Sequence, residues 1–356
     1  MDRRKFIKTC GLVSTSLLLS NDVLANRIET TEKQHIVKPI TGSWFEFLHG
    51  SDAEGKYWNA VLPGFSETQW RAKIREMSDM GMQYLVLMAV ANNGKTFYPS
   101  TLQPQYDYVC NDPLEAVLSE ADLCGIKFFV SNDFWGNSDD TYKMMTDKDI
   151  AALRERAMIE IVEKYGHHSS FYGWYYPNES GLWNTIDDLT LNYVNNCSRI
   201  ARQLMPKCVN LIAPYGTKSV RADDEYVRKL EQLDIDIIAY QDEVGVKKTR
   251  AGYAGKYFEA LCSAHKKAGR AKIWADMEIF GFEGDVYKSA LIPADFNRIQ
   301  KQIEDVSPFV DNILIYQYIG LMNKPGATAF AGHPDSVHLY EAYDHWYRQG
   351  LKNKLW

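Results

Sequence analysis

Two carboxylates about a hundred residues apart end similar apolar stretches. Phe171-Tyr-Gly-Trp-Tyr-Tyr-Pro-Asn-Glu179 runs from aromatic, strand-like residues into Pro177, Asn178 and Glu179, and Lys272-Ile-Trp-Ala-Asp-Met-Glu278 delivers Glu278 shortly before Gly281. A pair of carboxyl groups can cleave a glycosidic bond. One, protonated, donates to the leaving oxygen, while the other, ionised, attacks the anomeric carbon; in a retaining enzyme they stand about 5 Å apart. That division of labour requires two different pKa values. Asp276, two residues before Glu278 and on the same side of an ideal strand, competes for the second role. Glu179 also precedes Ser180-Gly181, so the same residues suit a solvated turn with Asn178 capping local backbone groups.

Only a fold can bring such distant carboxylates together. From Ile40 the chain alternates apolar runs with amphipathic helical stretches, and the cycle recurs eight times. The runs are Ile40 to Phe47, Tyr84 to Val90, Ile126 to Asp133, the stretch from Phe171, Val209 to Pro214, Ile235 to Asp242, Ile273 to Glu278, and Asn312 to Tyr318. The helical stretches are Ser66 to Gly81, Asp112 to Leu123, Asp147 to Tyr165, Ile186 to Leu204, Asp223 to Leu233, Lys247 to Lys267, Ala294 to Val306 and Ser336 to Arg348. In the first, Ser66 and Gln69 are spaced as an N-cap pair, Trp70, Ile74 and Met77 share a face, and Gly81 closes the helix. Continuous apolar runs, as opposed to alternating ones, indicate strands covered on both faces. The pattern predicts an α/β protein whose residues 40–356 form a single (β/α)₈ TIM barrel. An open doubly wound sheet would want Gly-x-Gly-x-x-Gly after the first strand; that motif and any phosphate loop are absent. Long inserts after strands one, two and eight read as loops of the barrel mouth.

Barrel enzymes place their sites at the C-terminal ends of the strands. Here those ends carry Trp44 and Glu46; Asn132, Asp133 and Trp135; Asn178 and Glu179; Tyr215; Gln241, Asp242 and Glu243; Glu278; and Tyr316, Gln317 and Tyr318. Amides and carboxylates can bind vicinal hydroxyls, and flat rings can cover the C–H faces of a sugar. The expected catalytic residues are Glu179 and Glu278. Trp44, Glu46, Asn132, Asp133, Trp135, Asn178, Tyr215, Gln241, Asp242, Tyr316 and Gln317 are the expected substrate contacts. Rings also fill cores, and Asp242 with Glu243 also suits an acidic turn leading a helix. There is no His-x-His after strand one, no His-Glu-x-x-His and no Gly-x-Ser-x-Gly, so neither a metal nor a nucleophilic serine is implied. His167-His168, before strand four, falls at the opposite end of the barrel, where it suits a helix cap or the surface.

The strand-end positions resemble clan A of the glycoside hydrolases, in which an Asn-Glu pair ends strand four and a Glu ends strand seven. That resemblance implies Glu179 as acid/base, Asn178 as the residue that orients it or holds the hydroxyl beside the anomeric carbon, and Glu278 as nucleophile. A closer resemblance covers the chain from Ile40 to the last helix. It rests on Ile40-Thr-Gly-Ser with the Trp70 helix, on Gly173 to Glu179, on Tyr240-Gln-Asp-Glu-Val-Gly245 and on Trp274-Ala-Asp-Met-Glu-Ile-Phe280. These are similar to a bacterial barrel family known as domain of unknown function 4434, which looks like a glycoside hydrolase relative. Where that family has Gly after Gln-Asp, this chain has Glu243.

Composition narrows the partners. With 40 basic and 46 acidic residues, a net charge of -6 and no basic stripe, the chain has no footprint for nucleic acid. Asp2-Arg-Arg-Lys-Phe-Ile-Lys8, a short apolar segment and Val23-Leu24-Ala25 resemble a twin-arginine export signal. The apolar segment is shorter than the roughly 20 residues that span a bilayer. The expectation is a signal peptide over residues 1–25, an N-terminal segment over 26–39 and an exported, periplasmic or secreted barrel without stable membrane insertion. The five cysteines beyond the signal have no Cys-x-x-Cys spacing and imply no disulfide framework. The sequence reads as a cofactor-free glycosidase acting on a carbohydrate, against a non-catalytic glycan-binding barrel or a polysaccharide lyase, and leaves the oligomeric state open.

Overall fold

Eight parallel strands close on themselves in chain order in this computed structural model, which describes residues 37–136, 140–177, 179 and 181–356. The expected signal segment and Asn178 lie outside those residues. The barrel strands are β1 (Gly42–Phe45), β2 (Tyr84–Leu87), β3 (Lys127–Ser131), β4 (Phe171–Tyr175), β5 (Val209–Ile212), β6 (Ile237–Gln241), β7 (Lys272–Glu278) and β8 (Asn312–Tyr316). Each pairs with its chain neighbours, and β1 closes the ring on β8 with Gly42 opposite Leu314. The expected single (β/α)₈ barrel is the observed fold.

Both faces of these strands are apolar, for two different cores. Trp44, Val86, Phe129, Tyr175, Leu211, Ala239, Trp274 and Leu314 pack together inside the barrel. Their strand neighbours Phe45, Leu85, Phe128, Trp174, Ile238 and Ile313 belong to the larger core under the helices. Trp44 meets Tyr175 edge-on with ring centroids 4.7 Å apart, so the upper barrel is filled by rings. Gly173 interrupts β4 because a Cβ there would sit 1.6 Å from the Val209 carbonyl oxygen, where β5 presses against it.

The helices that follow the strands are α1 (Glu67–Asp79), α2 (Pro113–Cys124), α3 (Lys148–Tyr165), α4 (Asp188–Leu204), α5 (Asp224–Gln232), α6 (Gly255–Ala268), α7 (Phe296–Val306) and α8 (Ser336–Lys352), and a short additional helix, Thr141–Thr146, precedes α3. Ser66 and Gln69 form the expected capping box on α1, and Gly125 ends α2 in the left-handed conformation. None of the described helices is long and apolar enough to cross a membrane. The described cysteines form no disulfide.

One helix departs from expectation. α6 begins at Gly255, not Lys247, because the Glu243 carbonyl already binds Lys248 N at 3.1 Å and Thr249 N at 2.9 Å. Lys247 itself stands at φ 62, outside helical geometry. An unexpected insert also follows β7, a hairpin of Phe280–Phe282 and Leu291–Pro293.

At the N-terminal end of the barrel His168 ties α2 to the turn before β4. Its Nδ1 lies 2.6 Å from Asp122 and its Nε2 3.0 Å from Glu115, so both ring nitrogens are committed to carboxylates. Glu115, His167 and His168 are close enough to suggest a metal site, but a metal would have to break those bonds. Burial draws the His168 pKa down, yet the bonds to Glu115 and Asp122 outweigh it and leave the imidazole above its usual value. A group whose folded pKa is raised stabilises the fold fully below its unfolded value and loses that contribution as pH rises through the folded one. His168→Gln should therefore lower the melting temperature more at about pH 6 than at about pH 9, as thermal denaturation at the two pH values would show.

Candidate active site

Trp274, Asp276 and Glu278 alternate along the inner face of β7, and the last two reach a cavity of about 180 Å³ at the C-terminal mouth. Glu278 is only 5% exposed. The loop after β6 wraps it closely: Val246 N donates to its Oε2 at 2.8 Å, and a Cβ on Gly245 would lie 2.9 Å from the Glu278 Cβ. Any side chain at 245 would push the loop off the carboxylate.

The backbone of Glu278 is held from behind. Its N–H donates to Asp242 Oδ1 at 3.1 Å, and its carbonyl accepts from Arg298 Nη2 at 2.7 Å and Gln302 Nε2 at 3.1 Å. Gln302 also donates to Asp242 Oδ2 at 2.6 Å, and Arg298 Nε donates to Gln302 Oε1 at 3.1 Å. Arg298 and Gln302 lie one turn apart on α7, so helical spacing delivers both donors to one place. Burial lifts Asp242 to about 6, against the pull of Gln302 and of the Glu278 and Val244 N–H groups. Burial and then the charge of Asp242 push Glu278 well above the usual carboxylate range, with Asp276 and Glu243 adding to it.

Glu179 arrives from the other side of the mouth, beyond the end of β4. Its side chain is exposed where it lines the cavity, yet desolvation by the surrounding protein raises its pKa to about 7, opposed by a hydrogen bond from Gln241. Its charge is felt by Asp276, Tyr175 and Tyr316, in each of which burial has the larger effect. Glu179 and Glu278 thus line one cavity from two strands, and both resist ionisation at the usual carboxylate pH.

Loops close the rim. The segment after β1 contributes His49 and Glu54, and the hairpin after β7 contributes Phe280, Phe282, Tyr287 and Leu291. The two are tied by Lys56 and Tyr57, which bond the Glu283 carboxylate at 2.9 and 2.6 Å, and by Leu291 N donating to the Glu54 carbonyl at 3.1 Å. Tyr215 meets Tyr287 hydroxyl to hydroxyl at 2.9 Å, extending the wall past β5.

The strand-end residues divide sharply. Tyr215, Gln241 and Tyr316 line the cavity with Glu179 and Glu278. Trp44 lies beneath it in the barrel core, and Glu46 is engaged by Trp58, Gln317 and Tyr316, so Glu46 and Gln317 brace the wall. Asp242 supports Glu278 from outside the cavity. The β3 end does not reach the cavity: Asp133 is fully buried on Arg154 at 2.5 Å and Tyr193 at 2.9 Å, Trp135 donates to the Asn132 carbonyl at 3.1 Å, and the Asn132 side chain packs on Met158. A buried arginine needed a partner, and α3 supplied it to Asp133. His49, Glu54 and Tyr287 line the site unannounced, since loop residues follow no periodicity; Glu54, in the insert expected at the mouth, was the nearest to a signal.

Glu243 stands at φ 55, in the left-handed region that glycine favours. Its carboxylate accepts from Lys218 N at 3.1 Å, which anchors a backbone that its own Cβ strains.

The family model described as "Domain of unknown function (DUF4434)" matches residues 40–329, and the chain belongs to that family. No curated protein matches it. A solved candidate alpha-L-fucosidase from Bacteroides thetaiotaomicron VPI-5482 superposes with a TM-score of 0.67 at 16% identity, covering 90% of this chain and 96% of that one. The endo-beta-1,4-mannanase from Thermotoga petrophila gives 0.55 at 12% identity, covering 88% and 78%. The endo-1,4-beta-mannanase from Rhizomucor miehei gives 0.52 at 12% identity, covering 87% and 95%. At these identities the likeness is one of fold.

The α7 brace has a measurable cost of removal. Gln302→Ala strips the buried Asp242 Oδ2 of its donor, and should destabilise the protein by about 1–3 kcal/mol in urea or thermal unfolding.

Proposed function

We propose that this member of the DUF4434 family is a glycoside hydrolase that acts with retention, Glu179 serving as acid/base and Glu278 as nucleophile. The observation that carries the reading is that these two carboxyls, supplied by β4 and β7, face one cavity walled by Tyr215, Tyr316 and Phe280. Two mannanases and a candidate fucosidase share the barrel, which supports the reading at the level of scaffold.

The chemistry follows from the environments. Near neutral pH Glu179, with a pKa of about 7, still holds a proton to give to the leaving oxygen. Glu278, ionised, attacks the anomeric carbon and forms the glycosyl-enzyme; the leaving group departs with the Glu179 proton. Glu179, now a base, takes a proton from water, whose oxygen displaces Glu278. Val246 N–H stabilises the Glu278 anion at the moment it is regenerated. Because Asp242, Asp276 and Glu243 oppose Glu278 ionisation, the productive protonation state becomes abundant only where both carboxyls titrate.

Glu179→Ala should lower kcat/KM by about 10²- to 10⁴-fold, with activity partly restored on aryl glycosides whose leaving groups need no proton. Glu278→Ala should lose activity on all substrates. Unchanged turnover by either variant, measured on the glycan that the wild type cleaves, would sink the assignment.

The pH profile is a separate test. The acid limb of kcat/KM should lie well above the usual glutamate range near 4.3, and activity should fall again above about pH 7, giving a narrow bell that belongs to the carboxyl cluster as a whole. A broad plateau across mildly acidic pH would contradict it.

A further inference from the structure

Two residues before Glu278 on β7, the cavity floor is formed by Asp276, behind which Trp44 and Tyr175 are packed. Among the described residues Asp276 Oδ1, Trp44 Nε1 and the Tyr175 hydroxyl have no hydrogen-bond partner, and these residues are 3%, 1% and 0% exposed. Asp276 lines the cavity. The Trp44 indole N–H lies close enough to draw the Asp276 pKa down without completing a well-formed bond, and Tyr175 packs edge-on against Trp44 and feels the Asp276 charge. Buried polar groups are normally paired, so the unpaired oxygen of Asp276, a residue that itself lines the opening, marks a place built to receive a polar group from outside.

The charge around that place is of one sign. The described lining residues include four carboxyls, Glu54, Glu179, Asp276 and Glu278, and a single imidazole, His49. The nearby cations are engaged: Arg298 bonds the Glu278 carbonyl from behind, Lys56 bonds Glu283, and Lys248, not itself a lining residue, lies over the Tyr215 ring, 4.0 Å from its centroid. The remaining residues between Val37 and Trp356, Asn137, Ser138, Asp139, Asn178 and Ser180, add no base. A carboxylate entering here would meet carboxyl groups and, among the described residues that line the cavity, no guanidinium or ammonium group to pair with.

We infer that the cavity floor is a subsite for an uncharged or amino-bearing sugar ring, whose hydroxyl or ammonium group donates to Asp276, and that it rejects sugars carrying a carboxylate. The inference deepens the glycosidase reading by naming the substrate class, and as a statement about binding it stands apart from turnover. Asp276 is a substrate-binding residue in this scheme, and Trp44 and Tyr175 support it from the barrel core.

Calorimetric titration with polyhydroxylated piperidines, basic mimics of a sugar ring, tests it directly. The series would comprise gluco, galacto and manno configurations, each with a counterpart bearing a carboxylate in place of the hydroxymethyl group. The expected result is binding of at least one basic mimic, a Kd at least about tenfold weaker for its carboxylate counterpart, and a similar weakening in Asp276→Asn. The wild-type comparison needs no variant to fold. Equal or tighter binding of the carboxylate counterparts, undiminished affinity in Asp276→Asn, or no binding of any basic mimic would each overturn the inference. Selective binding by a protein that hydrolyses no glycoside would remove the enzymatic reading and keep this one; hydrolysis of uronides would do the reverse.

Discussion

Holding Asp242, Asp276 and Glu278 together inside protein is the constraint on which the mouth of this barrel depends. Each carboxylate loses hydration on burial, and each raises the cost of ionising the next. The structure offsets that cost with directed donors: Gln302 and two backbone N–H groups on Asp242, and Val246 N–H on Glu278. These donors are coupled, because Gln302 is itself fixed by Arg298 and by the Glu278 carbonyl. The brace is therefore a network in which α7, the β6 loop and β7 stabilise one geometry jointly, and loss of one member is felt by the others. The close passage of Gly245 over Glu278 belongs to the same requirement, since only a bare backbone brings the Val246 N–H within reach.

Barrel closure supplies the second half of the arrangement. Strands in chain order carry the ends of β4 and β7 to the rim of one bowl, which no pairing between neighbouring strands could do. The bowl is not symmetric. On the β3 side Asp133, Arg154 and Tyr193 form a buried post that fastens α3 and α4 to the strand end. On the opposite side the β1 loop and the β7 hairpin, joined through Glu283 and Leu291, build the wall that faces the carboxyls. Polar residues at strand ends thus serve two purposes, and what separates them is whether a helix offers a partner.

That distinction explains what could be read from the chain. The eight strands were legible because continuous apolar runs report burial on both faces, and Ser66 and Asp112 marked helix starts through local chemistry that packing did not override. Glu179 and Glu278 were legible because strand ends in a barrel point into the mouth. Asp133 misled for the same reason: its position was right, but Arg154, 21 residues on in a helix, claims it, and no local pattern announces such a partner. The late start of α6 escaped because Lys248 and Thr249 are held in a turn by the Glu243 carbonyl, a backbone bond that side-chain periodicity does not announce. Tyr287 and His49 lie on loops whose paths are set by contacts distant in sequence, where periodicity carries no information.

A mouth with more acids than it can comfortably ionise fits the charge history of the proposed reaction. Burial first, and then the charges of neighbouring carboxyls, make Glu278 and Asp276 resist losing their protons. A glycosyl transition state brings positive charge to the ring, and the same crowded acids then become its counter-charges. Repulsion in the free protein and attraction in the transition state come from one set of residues, so the strain of assembling them is relieved selectively as the bond breaks. That difference, and not tight binding of the ground state, is what accelerates a chemical step. On the proposed scheme Asp276 need not compete with Glu278 for the anomeric carbon: two residues deeper on β7, it would hold the ring by a polar group while adding to the field that the developing charge experiences.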